Sequence, residues 1–137
     1  MTGFTCGVWP ARSGRGLITV VVDEDGRARR PATVDRSADA AWALLAWLDE
    51  TVGLDCDLVL PDWLGTSCEI ARLALDRGAV VWLVPVPILE AVRLVASLAT
   101  GPPARTAAAL ARLPFAPVLR AHLRRLPPEP KHQLPLF

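Results

Sequence analysis

The sequence predicts a single α/β domain, and three of its features indicate this fold class. Along residues 4–99, short apolar runs rich in β-branched residues alternate with longer segments whose apolar residues recur at helical spacing. The composition, 52% hydrophobic and 21% charged, is typical of a globular chain. The length of 137 residues is sufficient for one domain with a sizeable core.

The first three predicted strands form an antiparallel meander. Residues 4–9 are a short apolar run, and residues 17–22 form the clearest strand because they are β-branched almost throughout. Residues 23–26 are a hairpin signal ending in a glycine, which accepts the positive φ of a tight turn. Residues 30–34 predict a third strand, and Pro31 indicates that this strand lies at a sheet edge.

The next part of the chain alternates helices with strands. Helices are predicted over residues 37–52, 66–77 and 87–99, and apolar strands over residues 57–60 and 79–84. Because helices connect these strands, right-handed crossovers and parallel pairing are expected. The residues expected at the helix starts are Ser37 as a cap, Thr66 with Glu69 as a capping box, and Pro87 at the first helical position.

The charge balance changes near residue 101. Residues 1–100 carry nine arginines and thirteen acidic residues, whereas residues 101–137 carry six basic residues and one acidic residue. Two short helices are predicted here, over residues 104–113 and 118–126. A basic segment on an acidic body is a candidate nucleic-acid face, and a solvated helical face is the alternative. The candidate DNA-binding residues are Arg112, Arg120, Arg124 and Arg125.

The end of the chain differs in character from the rest. A proline-rich lead at residues 127–132 continues neither a helix nor a sheet, so residues 127–137 are expected to form a flexible tail. The single domain is expected over residues 1–126, with a sheet-and-helix body at residues 1–100 and a basic helical extension at residues 101–126. The tail ends in five residues that suit a groove on another protein: Gln133, Leu134, Pro135, Leu136 and Phe137.

These five residues resemble the bacterial sliding-clamp-binding motif, in which Gln and Leu precede a middle residue and then Leu-Phe. The resemblance implies that the chain binds the sliding clamp, the β subunit of the replicative DNA polymerase, as an accessory protein of replication or repair. Leu136 and Phe137 would then be apolar anchors, and Gln133 would hydrogen-bond at the rim of the pocket. The alternatives are a tail that packs on its own domain and a structural subunit whose tail binds a different protein.

The predicted order β-β-β-α-β-α-β-α is similar to that of the ribonuclease-H-like fold, as found in resolvase-like nucleases and the N-terminal domains of some transposases. The resemblance implies a mixed five-stranded sheet, here with extra C-terminal helices and an extended tail. A flavodoxin-like or Rossmann-like domain is the main rival. The opening meander argues against both rivals, and no glycine fingerprint follows the first strand.

The ribonuclease-H-like resemblance also implies carboxylates that hold two divalent metal ions. Acids are expected in the middle of the first strand, at the end of the fourth strand and on a later helix. Residues 4–9 and 91–128 contain no acid, and Asp62 alone matches a family position, at the end of the fourth strand. Asp55 and Asp57 are interpreted as solvated loop acids. A non-catalytic member without metal or cofactor is therefore expected, and a metal-dependent nuclease or recombinase-type enzyme with divergent acids is the alternative.

The remaining sequence features indicate a bacterial cytoplasmic protein. Cys6, Cys56 and Cys68 lack metal-ligand spacing and are expected to be small buried thiols in a reducing cytosol. No apolar run approaches the length that spans a bilayer, and the first residues lack the pattern of a secretion signal. The excess of arginine over lysine and the absence of tyrosine are typical of a GC-rich bacterial genome.

Overall fold

The computed structural model contains a mixed β-sheet with helices on both of its faces. It describes residues 3–11, 16–35, 40–53, 56–62, 65–95 and 102–128. The strands are β1 (Phe4–Pro10), β2 (Gly16–Asp23), β3 (Ala32–Asp35), β4 (Cys56–Pro61), β5 (Val81–Val84) and β6 (Arg124–Leu126). The helices are α1 (Ala40–Thr51), α2 (Gly65–Asp76), α3 (Val86–Val95), α4 (Pro103–Arg112) and α5 (Pro117–Arg120), with a 3-10 turn at Leu113–Phe115.

The strands lie in the order β3-β2-β1-β4-β5-β6. Strand β2 pairs antiparallel with both β1 and β3, so the predicted meander is confirmed. Strands β1, β4 and β5 are parallel neighbours, as the helical crossovers predicted. Strand β3 lies at the sheet edge that Pro31 indicated, and the bounds of the predicted strands are correct to within about two residues.

Helices α1 and α2 cover one face of the sheet. The helical spacing of apolar residues that predicted a helix over residues 37–52 is confirmed in α1, because Leu44, Leu45 and Leu48 are all buried. Ile70 and Ala74 of α2 are buried in the same layer. Successive side chains of a strand point to opposite faces, so each strand contributes alternate residues to this layer. The strand residues in this core include Cys6, Val8, Leu17, Leu58, Leu60 and Val81.

Helix α4 lies directly on β1 and β2, on the opposite face. The buried residues that join them are Val20, Val22, Ala107, Ala108 and Ala111. Small side chains allow a close approach, and a Cβ at Gly7 would lie 1.9 Å from the carbonyl oxygen of Ala107. The Thr5 hydroxyl donates a hydrogen bond to the Ala111 carbonyl. Helix α4, which belongs to the predicted helical extension, therefore covers one face of the sheet.

The structure corrects the prediction of a helix over residues 118–126. Helix α5 ends at Arg120 after a single turn, and the chain then turns into β6. Strand β6 pairs antiparallel with β5, with Arg125 opposite Trp82. The edge of β5 offers unpaired backbone groups. Hydrogen bonds to this edge stabilise residues 124–126 as a strand more than local helix propensity stabilises them as a helix. The sheet therefore has six described strands where five were predicted.

The helix starts agree only in part with the sequence expectations. Pro87 is the second residue of α3, one position later than predicted. Ser37 and the side chain of Thr66, the two expected caps, lie outside the described residues. Of the helices that the structure describes, none is long and apolar enough to cross a membrane.

Candidate functional site

The clamp-binding motif predicted at residues 133–137 lies outside the described part of the chain. The last described residues, Pro127 and Pro128, follow β6 and are both exposed. Strand β6 is itself at the outer edge of the sheet. The described chain therefore reaches the protein surface where the proline-rich lead begins.

The four arginines predicted to bind DNA lie in three separate places. Arg120 and Arg125 line the same cavity. Arg124 is next to Arg125 in β6 but lines a different cavity, against α2. Arg112 lies at the end of α4, where its Nε donates a hydrogen bond of 3.1 Å to the Gly26 carbonyl. The fold therefore brings two of the four together.

We call the cavity that Arg120 and Arg125 share the β5–α5 cavity. It has a volume of about 620 Å³ and is bordered by β5, the 3-10 turn, α5 and β6. Among the residues that the structure describes, the charged ones in its lining are Arg120 and Arg125, and none is a carboxylate. The apolar residues of its wall include Trp82, Pro114, Phe115, Pro117, Leu123 and Pro128.

Trp82 lies at the base of the β5–α5 cavity, and a buried carboxylate orients it. The indole Nε1 donates a hydrogen bond of 3.0 Å to Oδ2 of Asp57. Asp57 is 1% exposed and Trp82 is 2% exposed, so this hydrogen bond is shielded from water. The guanidinium carbon of Arg120 lies 5.2 Å from the centroid of the Trp82 ring, in a cation–π contact. Asp57, Trp82 and Arg120 thus form a connected series from the sheet interior to the cavity.

The alternation of side chains along β5 and β6 explains this arrangement. Trp82 belongs to the core on the α3 and α5 side of the sheet, whereas Leu83 belongs to the core under α1 and α2. Arg125 is opposite Trp82 in the ladder and therefore lies on the same side. Its Nη1 donates a hydrogen bond to the Pro127 carbonyl, which restrains the guanidinium beside the cavity.

Asp62, the residue that matches a family acid position, is exposed after β4. Its backbone N–H donates a hydrogen bond of 3.0 Å to the Val84 carbonyl. Its side chain shares a cavity of about 350 Å³ with Arg72 and Arg124. Two guanidinium groups in this cavity oppose the entry of a divalent cation. Over the described ranges, no three His, Cys, Asp or Glu side chains are grouped in a way that could hold a metal ion.

The pair formed by Asp57 and Trp82 was not predicted from the sequence. The interpretation of Asp57 as a solvated loop acid is wrong, because β4 begins at Cys56 and buries the Asp57 side chain. Strand ends are where ligands bind in open sheets, and Trp63, which follows the end of β4 in the sequence, lies outside the described residues. The signal that could have revealed the pair is the position of Asp57 inside the apolar run of β4. A carboxylate buried in such a run requires a hydrogen-bonding partner.

Cys6 and Cys56 are buried free thiols, as expected from the sequence. Burial raises the pKa of Cys6 well above its ordinary value, and the neighbouring Cys56 raises it further. Burial, with a further contribution from the charge of Asp57, raises the pKa of Cys56 to about 12. Both thiols are therefore protonated at neutral pH and are poor nucleophiles and poor metal ligands. The side chain of Cys68 lies outside the described residues.

The buried thiols predict that stability decreases at alkaline pH. Above an ordinary thiol pKa of about 8.5, the unfolded chain releases protons that the folded chain retains. The free energy of unfolding should therefore fall from about pH 9 towards the raised pKa of Cys56 at about 12. The chain has no tyrosine and one lysine, so few other groups titrate in this range. Urea denaturation at neutral pH and at about pH 10.5 measures the change.

The control for this prediction is the double variant Cys6→Ala with Cys56→Ala. The variant loses packing, so it should be less stable at every pH, but its stability should depend less on alkaline pH than that of the wild type. An equally steep alkaline decrease in both proteins would show that other groups cause it.

The β5–α5 cavity is the described feature best suited to bind a ligand. It combines two cationic side chains with an apolar wall, whereas Asp62 lies among arginines and both described thiols are buried. Comparison of the chain with models of known protein families, and with curated protein sequences, gave no match.

Proposed function

We propose that this protein is a non-catalytic accessory factor of bacterial DNA replication or repair that binds the sliding clamp through residues 133–137. The observation that carries this proposal is the sequence Gln-Leu-Pro-Leu-Phe after a proline-rich lead. Leu136 and Phe137 offer apolar side chains to a pocket, and Gln133 offers an amide donor and acceptor. Pro135 restricts the peptide before binding and so reduces the entropy that binding costs. The exposed Pro127 and Pro128 support an accessible attachment point.

A ribonuclease-H-like fold for the body is part of this proposal. It is supported by the strand order, in which three antiparallel strands come first and β1 then lies between β2 and the parallel β4. The antiparallel meander of β1, β2 and β3 favours this fold over a flavodoxin-like or Rossmann-like domain. Strand β6 would be an addition to the common pattern.

Two features of the described residues support a role without catalysis. A metal-dependent nuclease of this fold requires a carboxylate in the middle of the first strand, and Gly7 occupies that place in β1. Helix α4 covers Gly7 so closely that a Cβ would lie 1.9 Å from the carbonyl oxygen of Ala107. Asp62, at the second family position, shares its cavity with Arg72 and Arg124.

The proposal includes contact with DNA and a cytoplasmic location. The support for DNA contact is charge, because residues 91–128 contain no acidic residue and Arg120 and Arg125 line one cavity. The support for the cytoplasm is that replication takes place there and that Cys6 and Cys56 are free thiols.

We expect purified protein to leave DNA uncut in the presence of Mg²⁺ or Mn²⁺, because no pair of carboxylates is in place at β1 and β4. The measurement is incubation of labelled single-stranded, duplex and branched DNA with each metal. Asp62→Ala is the control that separates intrinsic cleavage from contamination. Cleavage by the wild type that is lost in Asp62→Ala would establish the enzymatic alternative.

Size-exclusion chromatography of the protein mixed with the sliding clamp of the same bacterium tests the interaction. The whole chain is expected to co-elute with the clamp, and a variant that ends at His132 is expected to elute separately. If the whole chain and the shortened variant both co-elute with the clamp, the contact surface lies outside residues 133–137. If neither the whole chain nor the shortened variant co-elutes with the clamp, the alternative that the tail binds another protein is favoured.

A further inference from the structure

We infer that the β5–α5 cavity binds single-stranded DNA, with a base against its apolar wall and the adjoining phosphates on Arg120 and Arg125. This inference deepens the proposed function, and it rests on that function for the choice of DNA among anionic ligands. The tail would hold the clamp while the cavity holds an unpaired strand next to it.

The charge of the cavity favours an anion. Arg120 and Arg125 both line it, and no residue of the described ranges that lines it is acidic. The elements around it from α4 to β6 carry no acid, because residues 91–128 contain none. The carboxylate of Asp57 is buried beneath Trp82 and accepts the indole hydrogen bond, so it does not face a ligand in the cavity.

The wall of the cavity offers flat surfaces on which a base can stack. Bases stack on aromatic rings and on arginine guanidinium planes in many single-strand-binding proteins. Arg120 lies over the Trp82 ring and also lines the cavity, so its guanidinium can be held between the indole and a base. Trp82 is 2% exposed and therefore supports Arg120 from below. The half-buried ring of Phe115 adds a second surface.

The size of the cavity favours a single strand over a duplex. A volume of about 620 Å³ lies within the range of roughly 300 to 1,000 Å³ that small-molecule sites occupy. One nucleotide fits such a space. In a duplex the bases are paired and stacked, so only the phosphates would reach the arginines. An unpaired strand presents bases and phosphates together, which matches both features of the cavity.

The test is a titration of the whole protein into labelled oligothymidylate and into a duplex of the same length, followed by fluorescence anisotropy. The single strand is expected to bind more tightly than the duplex, with an affinity that falls as salt is added. Phe115→Ala and Arg120→Ala are each expected to weaken single-strand binding by about tenfold, the usual loss for one stacking contact. Arg125→Ala removes a charge-assisted hydrogen bond to phosphate and is also expected to weaken binding by about tenfold.

Arg124→Ala is the matched control for Arg125→Ala. The two arginines are neighbours in β6, but Arg124 lines the cavity against α2. Arg112→Ala is the control for Arg120→Ala, because Arg112 contacts Gly26 and lies outside the cavity lining. Each control removes one positive charge and is expected to change the affinity by less than about twofold, since salt screens distant charges.

A further variant separates binding from folding. Arg120→Lys keeps the charge but loses the planar guanidinium. It is therefore expected to have the melting temperature of the wild type and to bind single-stranded DNA more weakly. Wild-type affinity in Arg120→Lys would contradict stacking on the guanidinium.

Three outcomes would overturn the inference: equal weakening by Arg124→Ala and Arg125→Ala, duplex binding as tight as single-strand binding, or no binding to single-stranded DNA. Clamp binding, tested by size-exclusion chromatography, is measured separately from DNA binding. Clamp binding without single-strand binding would remove this inference alone. Single-strand binding without clamp binding would remove the clamp-binding role alone.

Discussion

Replacement of Gly7 by alanine is expected to destabilise the protein by about 3 kcal/mol, the upper end of the usual cost of overpacking. The new Cβ would lie 1.9 Å from the carbonyl oxygen of Ala107 and 2.9 Å from the amide nitrogen of Ala111. Both are backbone atoms of α4, so no change of side-chain rotamer relieves the contact. The helix would have to move away from the sheet, which would weaken its buried contacts with β1 and β2.

Urea denaturation of the wild type and Gly7→Ala measures this difference in the free energy of unfolding. Gly3→Ala is the control, because Gly3 is exposed and no atom lies within 4 Å of the position its Cβ would take. The control is expected to remain within about 0.5 kcal/mol of the wild type. If Gly7→Ala proves as stable as Gly3→Ala, then α4 does not cover β1, and the main structural support for a non-catalytic body is lost.

Loss of either apolar anchor of the tail is expected to weaken clamp binding strongly. Leu136→Ala and Phe137→Ala should each cost about 2 kcal/mol or more, or roughly 30-fold in Kd, as buried hot-spot residues do. Gln133→Ala should cost less, because water can replace the amide at the rim of the pocket. Lys131→Ala is the control, since Lys131 lies in the lead and outside the motif.

The same anchor variants are expected to leave the body as stable as in the wild type. The motif follows a proline-rich lead, and the described chain reaches the surface at Pro127 and Pro128 before it. Thermal melts of the whole chain and of a variant that ends at His132 should therefore coincide. A melting temperature lower by several degrees in the shortened protein would show that the tail packs on its own domain.

Elements with a strong local signal could be predicted from the sequence. Strand β2 was predicted because its β-branched residues favour extended backbone whatever surrounds them. The edge position of β3 was indicated by Pro31, which cannot donate a ladder hydrogen bond. The buried face of α1 followed from the spacing of its leucines. In each case the information lies within a few neighbouring residues.

Features that depend on contacts between distant segments could not be predicted. Strand β6 forms because β5 has an edge to pair with, and residues 124–126 alone do not reveal this. The need for glycine at Gly7 becomes apparent only when α4 lies over β1. The four arginines predicted to bind DNA were found from charge, and two of them, Arg120 and Arg125, line the candidate site. That Arg124 and Arg125 lie on opposite faces of β6 became apparent only from the register of Arg125 against Trp82.

The most direct test of clamp binding is a calorimetric titration of the sliding clamp with the whole protein and with a variant that lacks residues 133–137. We predict saturable binding by the whole protein and no binding by the shortened protein, with the same melting temperature for both. Clamp binding by the shortened protein, or no binding by the whole protein, would contradict the assignment of this sequence as a clamp-binding tail.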